Sequence, residues 1–406
     1  MSCSTQGTIS LDQALLAYGQ TKTLSIIELA LIQAHSHVLA EDVFSTVCLP
    51  LFTQSAVDGY ALRSEDIEAG IRHFKLVGEI RAGLNEEINL QSGEMLRIFT
   101  GAKLPPSADT VARQEIVSAN QNNIQLNEII IKGTDIRYQG EELQSGSLLA
   151  QKGTKLSSGL IAALSMAGVH LVKVYRQPKI IALITGDEVS QERQHEAQVF
   201  DANTPMIVTW FKEQGFAQID IQHVMDNETD VQNALNHALQ HYDLVITTGG
   251  VSVGDYDLIR PISLKLGVEE IFWKVAQKPG KPLFFANYQK NNQQSYLIGL
   301  PGNPAAVMVC LLIHVATLLR ALQGQKNIAP AWQTAELTTT IRQDTREQLL
   351  RMVAQTDSLG KIHLTKLDKQ QSHMLSNLAE ANVIARIPKK NHSTDQSLQY
   401  VQYVLI

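Results

Sequence analysis

The chain has 406 residues, 44% of them hydrophobic and 18% charged, with a formal net charge of −6 from 34 Lys and Arg against 40 Asp and Glu. At roughly 150 residues per domain this length predicts about three domains, and the composition excludes a largely disordered chain. It also excludes an overall basic field for a nucleic-acid backbone, so an anionic ligand must be held locally.

Cys3, Cys48 and Cys310 are odd in number and far apart, which fits reduced thiols better than a disulfide framework or a zinc site. The longest apolar run, 307–319, carries His314 and Thr317 and stops short of the ~18–20 residues that span a bilayer. Residues 1–8 are polar and show no signal segment. The expectation is a cytoplasmic protein with neither membrane nor nucleic-acid partner.

In chain order, Ser10 to Gln13 forms a capping box that predicts a helix to about residue 18, and a second helical pattern runs over 25–34. From 44 to about 131 the pattern changes to short segments punctuated by glycine and by Pro105-Pro106, which predicts a small β-rich module. Helical periodicity returns over 157–166, closed by Gly168, and an alternating strand follows over 170–175. The economical reading inserts the β-rich module into a helical or mixed domain built from both flanks.

After Pro178 strands and helices alternate: strand 180–185, helix 204–213, strand 217–224, helix 230–240, strand 244–248 and helix 256–265. Strands over 270–275, 283–286 and 295–299 then precede a long helix over 304–322. Alternation with apolar strand cores predicts a doubly wound, mostly parallel sheet covered on both faces, with ligands at the strands' carboxyl ends. The remainder reads as a polar linker and a small C-terminal β domain. The expected partition is 1–45 with 141–177, then 46–140, 178–325 and 326–406, a multidomain α/β and β architecture.

Three loops of the sheet domain carry the chemistry: Thr185 to Glu188, Thr247 to Gly254, and Gly299 to Pro304. Glycines let backbone amides approach an anion, hydroxyls add donors, and a following helix adds its dipole. Asn303 and Pro304 also make an ordinary helix start, with Asn303 as N-cap. Lys274, Lys278 and Lys281 surround a Pro279-Gly280 turn whose prolines limit its freedom, which suits a compact oxyanion. Asp187, Glu188, Asp226, Asp255 and Asp257 recur at the loop ends, where hard oxygen ligands suit Mg²⁺ and where carboxylates also compensate helix dipoles. Metalloprotease HExxH, CxxC and Walker A patterns are absent.

The ordered set SAVDGYAL, GEIRAG, RIFTGAKLPPSAD, RYQGEEL, GLIAALSMAGV, TGDE, DANTPM, TTGGVSVGDYD, KPGKP, GLPGNP and QQSHMLSNLAEAN resembles the molybdopterin molybdenumtransferase family, which includes the C-terminal domain of gephyrin. The resemblance implies a four-domain subunit in a homodimer, with a crevice shared between the sheet domain and the partner's β-rich module. The sheet domain would have the molybdopterin adenylyltransferase fold. The implied reaction takes adenylylated molybdopterin and molybdate, inserts molybdenum at the dithiolene sulfurs and releases AMP, with Mg²⁺ as the divalent ion. Transient contacts with the adenylyltransferase and with cofactor-accepting enzymes are implied as well.

Residue by residue, Asp58 and Thr100 match positions that reach the crevice from the β-rich module, and Asp187, Glu188, Asp226 and Asp257 match acidic positions of the sheet domain. Lys278 and Lys281 match the lysine turn, Pro301 and Pro304 the PGNP turn, and Arg351 and Ser372 the terminal domain's contribution. On this reading the amides of Gly249, Gly250 and Ser252 hold the pterin phosphate and the lysines compensate pyrophosphate and molybdate. Asp187, Glu188 and Asp257 then hold Mg²⁺ or orient the attacking oxygen. Glu142, Arg113 and Gln371 depart from the family pattern. The alternatives are a molybdopterin adenylyltransferase, which acts one step earlier, and a non-catalytic scaffold of the gephyrin kind.

Overall fold

The fold is that of a computed structural model, which describes residues 7–406 apart from 87, 188, 191, 193–194, 252–256, 291–292 and 391–398. The capping box at Ser10 is formed, with its hydroxyl accepting from Gln13 N, and the helix Leu11–Tyr18 follows. Its buried face, Leu11, Ala14, Leu15 and Tyr18, packs into the core of the parallel-sheet domain rather than into the flanking domain. The stretch expected to fill one flank is therefore divided between two cores.

The helix expected over 25–34 is instead the strand Ile26–Ala30 and a single turn of 3-10 helix, Leu31–Gln33. Ile26 and Ile27 are β-branched, and Ile26–Ala30 pairs antiparallel with Leu171–Tyr175 in the register Ile26 to Tyr175. An apolar run this short satisfies either periodicity, and the distant partner strand decides it. One core then joins Leu31, Ala34 and Leu39 from one flank to Leu156, Leu164, Val172 and Val174 from the other.

Between the flanks a six-stranded sheet runs in the order Thr110–Arg113, Gly59–Leu62, Glu94–Ile98, His73–Ile80, Asn123–Leu126, Val117–Asn120. Neighbouring residues point to opposite faces, so Ala61, Leu96 and Val111 enter one core while Leu62, Met95 and Ala112 enter another. The outer end of this sheet carries Asp58 and Thr100.

The doubly wound domain has the order Asp220–Val224, Ile180–Thr185, Leu244–Thr248, Gln293–Leu300, Phe284–Lys290, Glu269–Trp273. The first four strands are parallel, and Phe284–Lys290 runs antiparallel to both of its neighbours. Every residue of Ile180–Thr185 and Leu244–Thr248 is buried. Ile180, Ala182 and Ile246 face Trp210, Phe211 and Ile313, while Ile181, Leu183 and Val245 face Leu235, Ala238 and Ile262. Helices therefore cover both faces, and the loops converge at the carboxyl ends.

The helix over Pro304–Leu322 corrects the length argument made from the run 307–319. At 19 residues with a mean hydropathy of 2.2 it is long and apolar enough to cross a membrane by length and composition, and 83% of its apolar window is buried inside the protein. A helix apolar on all sides is what a core position between two layers requires. Its middle, Leu311–Val315, is π-helical.

The C-terminal module closes on itself. Strand Glu347–Thr356 pairs with both Ile362–Lys366 and Val383–Ile387, and Gln333–Leu337 and Tyr400–Leu405 complete the ring. Closure removes exposed sheet edges in a module too small for a second layer. The two-residue strand Gln277–Lys278 of the sheet domain adds to it by pairing with Glu347 and Gln348.

Candidate functional site

The three loops at the sheet's carboxyl end meet. Gly249 N donates to Leu300 O at 3.0 Å, and Thr185 Oγ1 donates to Thr248 O at 2.9 Å. Gly249 has φ +88°, and a Cβ there would lie 2.8 Å from Thr185 Oγ1. A Cβ on Gly302 would lie 3.6 Å from Gly249 Cα, so the PGNP loop rests on the glycine loop. At Gly249 the positive φ and the nearby Thr185 hydroxyl favour glycine, whereas the Gly302 contact is an ordinary van der Waals one.

This packing corrects one expected role. The Gly249 amide is spent on the Leu300 carbonyl and is not open to a phosphate. Gly250, at φ +65°, accepts from Ile259 N through its carbonyl and turns the chain toward the helix Ile259–Lys265. Ser252 and Glu188 lie outside the described residues. Pro301 is buried, and Pro304 occupies the first turn of its helix. Asn303 is the N-cap by backbone conformation, but its side chain makes no cap hydrogen bond. It reaches the C-terminal module instead, where Asn303 Nδ2 donates to Ser372 Oγ at 3.0 Å.

Asp187 and Asp226 are brought together, with Asp226 N donating to Asp187 Oδ1 at 3.0 Å. Asp257 precedes the helix Ile259–Lys265. Among the described residues no group of three or more His, Cys, Asp or Glu side chains is placed to hold a metal ion.

Reading the sequence gave Asn203 no site role and took Thr247 and Thr248 only as the start of the glycine loop. Asn203 is buried and its Nδ2 donates to Gly302 O at 2.9 Å, fixing the PGNP loop. Asn203 Oδ1, Thr247 Oγ1 and Thr248 Oγ1 are buried without a hydrogen-bond partner. Buried polar atoms left unpaired are costly, and these three lie on the segments that carry or support the loops. The available signal was two hydroxyls ending an otherwise apolar strand.

The lysine turn lies where the sheet domain meets the C-terminal barrel. Lys278 Nζ donates to Asp344 Oδ2 at 2.9 Å, and this contact holds the Asp344 carboxyl well below its usual range. Lys281 is exposed and forms no ion pair among the described residues. Arg351 is not open to a ligand, which corrects its expected part in binding. It is 2% exposed, and its guanidinium donates to Lys369 O at 2.7 Å, Met374 O at 2.9 Å and Gln371 O at 3.2 Å. Arg351 thus shapes the loop that presents Ser372. Gln371 contributes its carbonyl to that clamp.

In the β-rich module Asp58 Oδ1 accepts from Thr100 N at 2.8 Å and from Thr100 Oγ1 at 2.7 Å. The Thr100 amide, its hydroxyl and the nearby Arg97 lower the Asp58 pKa. Both residues line an open hollow of about 460 Å³ with Arg113, Gln114 and Glu115. Arg113 is held by Asp135 at 2.7 Å. Among the described residues, none from the sheet domain lines this hollow. Glu142 lines a separate cleft with Gln54, Arg137 and Glu141.

Three family models match in succession: the MoeA N-terminal region (domain I and II) over 9–168, a probable molybdopterin binding domain over 181–321, and the MoeA C-terminal region (domain IV) over 334–395. A molybdopterin molybdenumtransferase of Nostoc is 33% identical over 369 residues, covering 87% of this chain and 83% of its own. One from Haemophilus influenzae is 32% identical over 368 residues, covering 89% and 88%. The crystal structure of a molybdopterin biosynthesis MoeA protein from Pyrococcus horikoshii superposes with a TM-score of 0.78 at 26% identity, over 98% of this chain and 99% of that one. With like domains in like order and relatives matched over most of their length, this chain belongs to the molybdopterin molybdenumtransferase family.

Proposed function

We propose that the protein inserts molybdenum from molybdate into adenylylated molybdopterin and releases AMP. One observation carries this reading: a continuous line of contacts joins the lysine turn to the glycine loops. Gln277–Lys278 pairs with Glu347 and Gln348; the same strand carries Arg351, which clamps 369–374; Ser372 in that loop receives Asn303, and Gly302 beside it rests on Gly249. The arrangement gathers ammonium groups and a hydroxyl at one end of the sheet and small-residue loops beside them. Compact oxyanions and a pyrophosphate are ligands that this donor set suits.

In this reading Lys278 and Lys281 take the oxyanion charge, and Ser372 donates to it. The amide of Gly250, with Ser252, faces the pterin phosphate. Asp187, Glu188 and Asp257 stand by the pyrophosphate, where they orient the attacking oxygen; they would also hold Mg²⁺, which supplies screening of phosphate charge. Asp226 supports Asp187 through its amide.

Asp58 and Thr100 act from the β-rich module of a second copy. Two chains would meet through the flank domain, where Ile26, Ile32 and Leu171 are 53%, 82% and 58% exposed. Passing contacts with the enzyme that supplies the adenylylated substrate and with enzymes that accept the cofactor complete this reading.

The test supplies purified protein with adenylylated molybdopterin, molybdate and Mg²⁺. AMP release dependent on molybdate, with molybdenum retained in the pterin product, is expected. Formation of adenylylated molybdopterin from Mg-ATP and unmodified molybdopterin, without insertion, would assign the protein to the preceding step instead.

A further inference from the structure

Three polar side chains are fully buried behind the lysine turn, and no role in binding or chemistry accounts for them. Tyr18 belongs to the N-terminal helix, His314 to the π-helical middle of the core helix, and Gln277 to the strand just before the turn. All three are 0% exposed. Tyr18 OH lies 3.1 Å from His314 Nδ1, His314 Nε2 lies 2.9 Å from Gln277 Oε1, and Gln277 Nε2 donates to Gly280 O at 3.3 Å.

The last bond sets the direction of the rest. Gly280 O accepts only, so the Gln277 amide must present N–H to it and oxygen to the histidine. His314 then carries its proton on Nε2, and Nδ1 accepts from the Tyr18 hydroxyl. Burial pushes the His314 pKa down to about 3, which keeps the ring neutral and this tautomer in place at ordinary pH.

The line is stiff at both ends. The Tyr18 ring is set edge-on against Phe285 and Phe272, at 4.8 and 5.9 Å between centroids. Gly280, at φ +86°, leaves no room for a Cβ, which would lie 2.7 Å from Gln277 Nε2 and 2.9 Å from Cys310 Sγ. The turn is otherwise closed by Val275 N donating to Lys281 O at 3.0 Å, and Arg346 Nη1 reaches Gln277 O at 3.4 Å from the barrel. A leucine at 314 would fit the apolar helix at lower cost, since each buried polar group must be matched. A π-helical segment places the ring where regular spacing would not.

We infer that Tyr18, His314 and Gln277 are positioning residues that set the depth of the Lys278–Lys281 turn, so that oxyanion affinity depends on side chains that never touch the oxyanion. The inference rests on the proposed reading of that turn as the molybdate-binding element. Fixing the Gly280 carbonyl fixes the backbone from which both lysines project, and a preorganised pair of ammonium groups spends less of its binding energy on ordering.

The experiment measures molybdate binding alone by calorimetry on the full-length protein, beside the KM for molybdate, kcat and the melting temperature. Gln277→Met and His314→Met are expected to weaken molybdate binding at least tenfold, with kcat at saturating molybdate within threefold of wild type. His314→Gln, whose amide reproduces the ring's donor to Gln277, is expected to return affinity to within threefold. Tyr18→Phe, at the far end, is expected to cost about twofold. Should a methionine variant not fold, His314→Asn supplies the same comparison, because its shorter amide reaches Tyr18 but not Gln277. Folded Gln277→Met and His314→Met proteins with wild-type molybdate affinity would overturn the inference, whatever their melting temperatures. Lys281→Ala separates the two levels: wild-type affinity in that variant sinks the reading of the turn itself, whereas its loss alongside intact Gln277→Met binding sinks only the positioning line.

Discussion

One oxygen of the Asp58 carboxylate accepts both the backbone amide and the hydroxyl of Thr100, 42 residues away, at 2.8 and 2.7 Å. Two donors on one oxygen keep the group ionised and leave its second oxygen for another partner. Thr100→Val retains the amide bond and removes the hydroxyl bond. The Asp58 pKa, measured by carboxyl NMR, is expected to rise toward its ordinary 3.8 without reaching it. AMP release is expected to fall about tenfold, at the low end of what one lost hydrogen bond to a charged group costs, with the melting temperature unchanged. An unchanged rate would remove Thr100 from the active crevice.

Asp58 and Lys281 lie in different modules, and the proposed homodimer brings them together only across two chains. Asp58→Ala and Lys281→Ala proteins are each expected to be inactive. Unfolded and refolded together, they are expected to recover about a quarter of wild-type activity, because half of random pairs are mixed and each mixed dimer holds one intact crevice. Mixtures that stay inactive while forming dimers place both residues in one chain's site.

Arg351 and Ser372 have separable roles. Arg351→Met strands three carbonyls in a buried clamp and is expected to cost about 3 kcal/mol, measured as the urea midpoint of the C-terminal module. Ser372→Ala is expected to leave that midpoint within about 0.5 kcal/mol and to raise the KM for molybdate. Equal destabilisation by both would make Ser372 a structural residue.

The Lys278–Asp344 pair gives a pH signature. Lys278 lowers the Asp344 pKa below the ordinary 3.8. A depressed folded pKa adds stability that is present above the unfolded value and is lost as pH falls through the folded one. Asp344→Asn is therefore expected to be less stable than wild type at neutral pH, with the difference closing below about pH 3.8. Urea unfolding at stepped pH checks this, and a difference that stays constant into acid would show that the pair contributes nothing.

Gly249→Ala adds a Cβ 2.8 Å from Thr185 Oγ1 at φ +88°. The strain is expected to cost about 1–3 kcal/mol in stability and to abolish AMP release by parting the glycine and PGNP loops. Full activity in this variant would mean that the loops do not need their contact.

The local chemistry of this chain was legible without coordinates. Strands such as Ile180–Thr185 are apolar throughout because both faces of a parallel sheet are covered, and that pattern needs no knowledge of the neighbours. The Pro and Gly of 278–282 and 301–304 mark turns whatever surrounds them, and Ser10 with Gln13 caps its helix from within four residues. Tertiary contact decided the rest. The Ser25 to Ala34 region holds apolar residues that suit either periodicity, and strand Leu171–Tyr175, more than a hundred residues on, made Ile26–Ala30 a strand. The Gly249 amide looked open to phosphate until Leu300 took it, and Arg351 looked like a ligand-binding cation until three carbonyls of its own domain surrounded it. His314 reads in sequence as an interruption of an apolar helix, and only the folded chain supplies Tyr18 on one side and Gln277 on the other. Propensity and spacing act over a few residues, whereas hydrogen-bond satisfaction in a buried site depends on groups hundreds of residues apart.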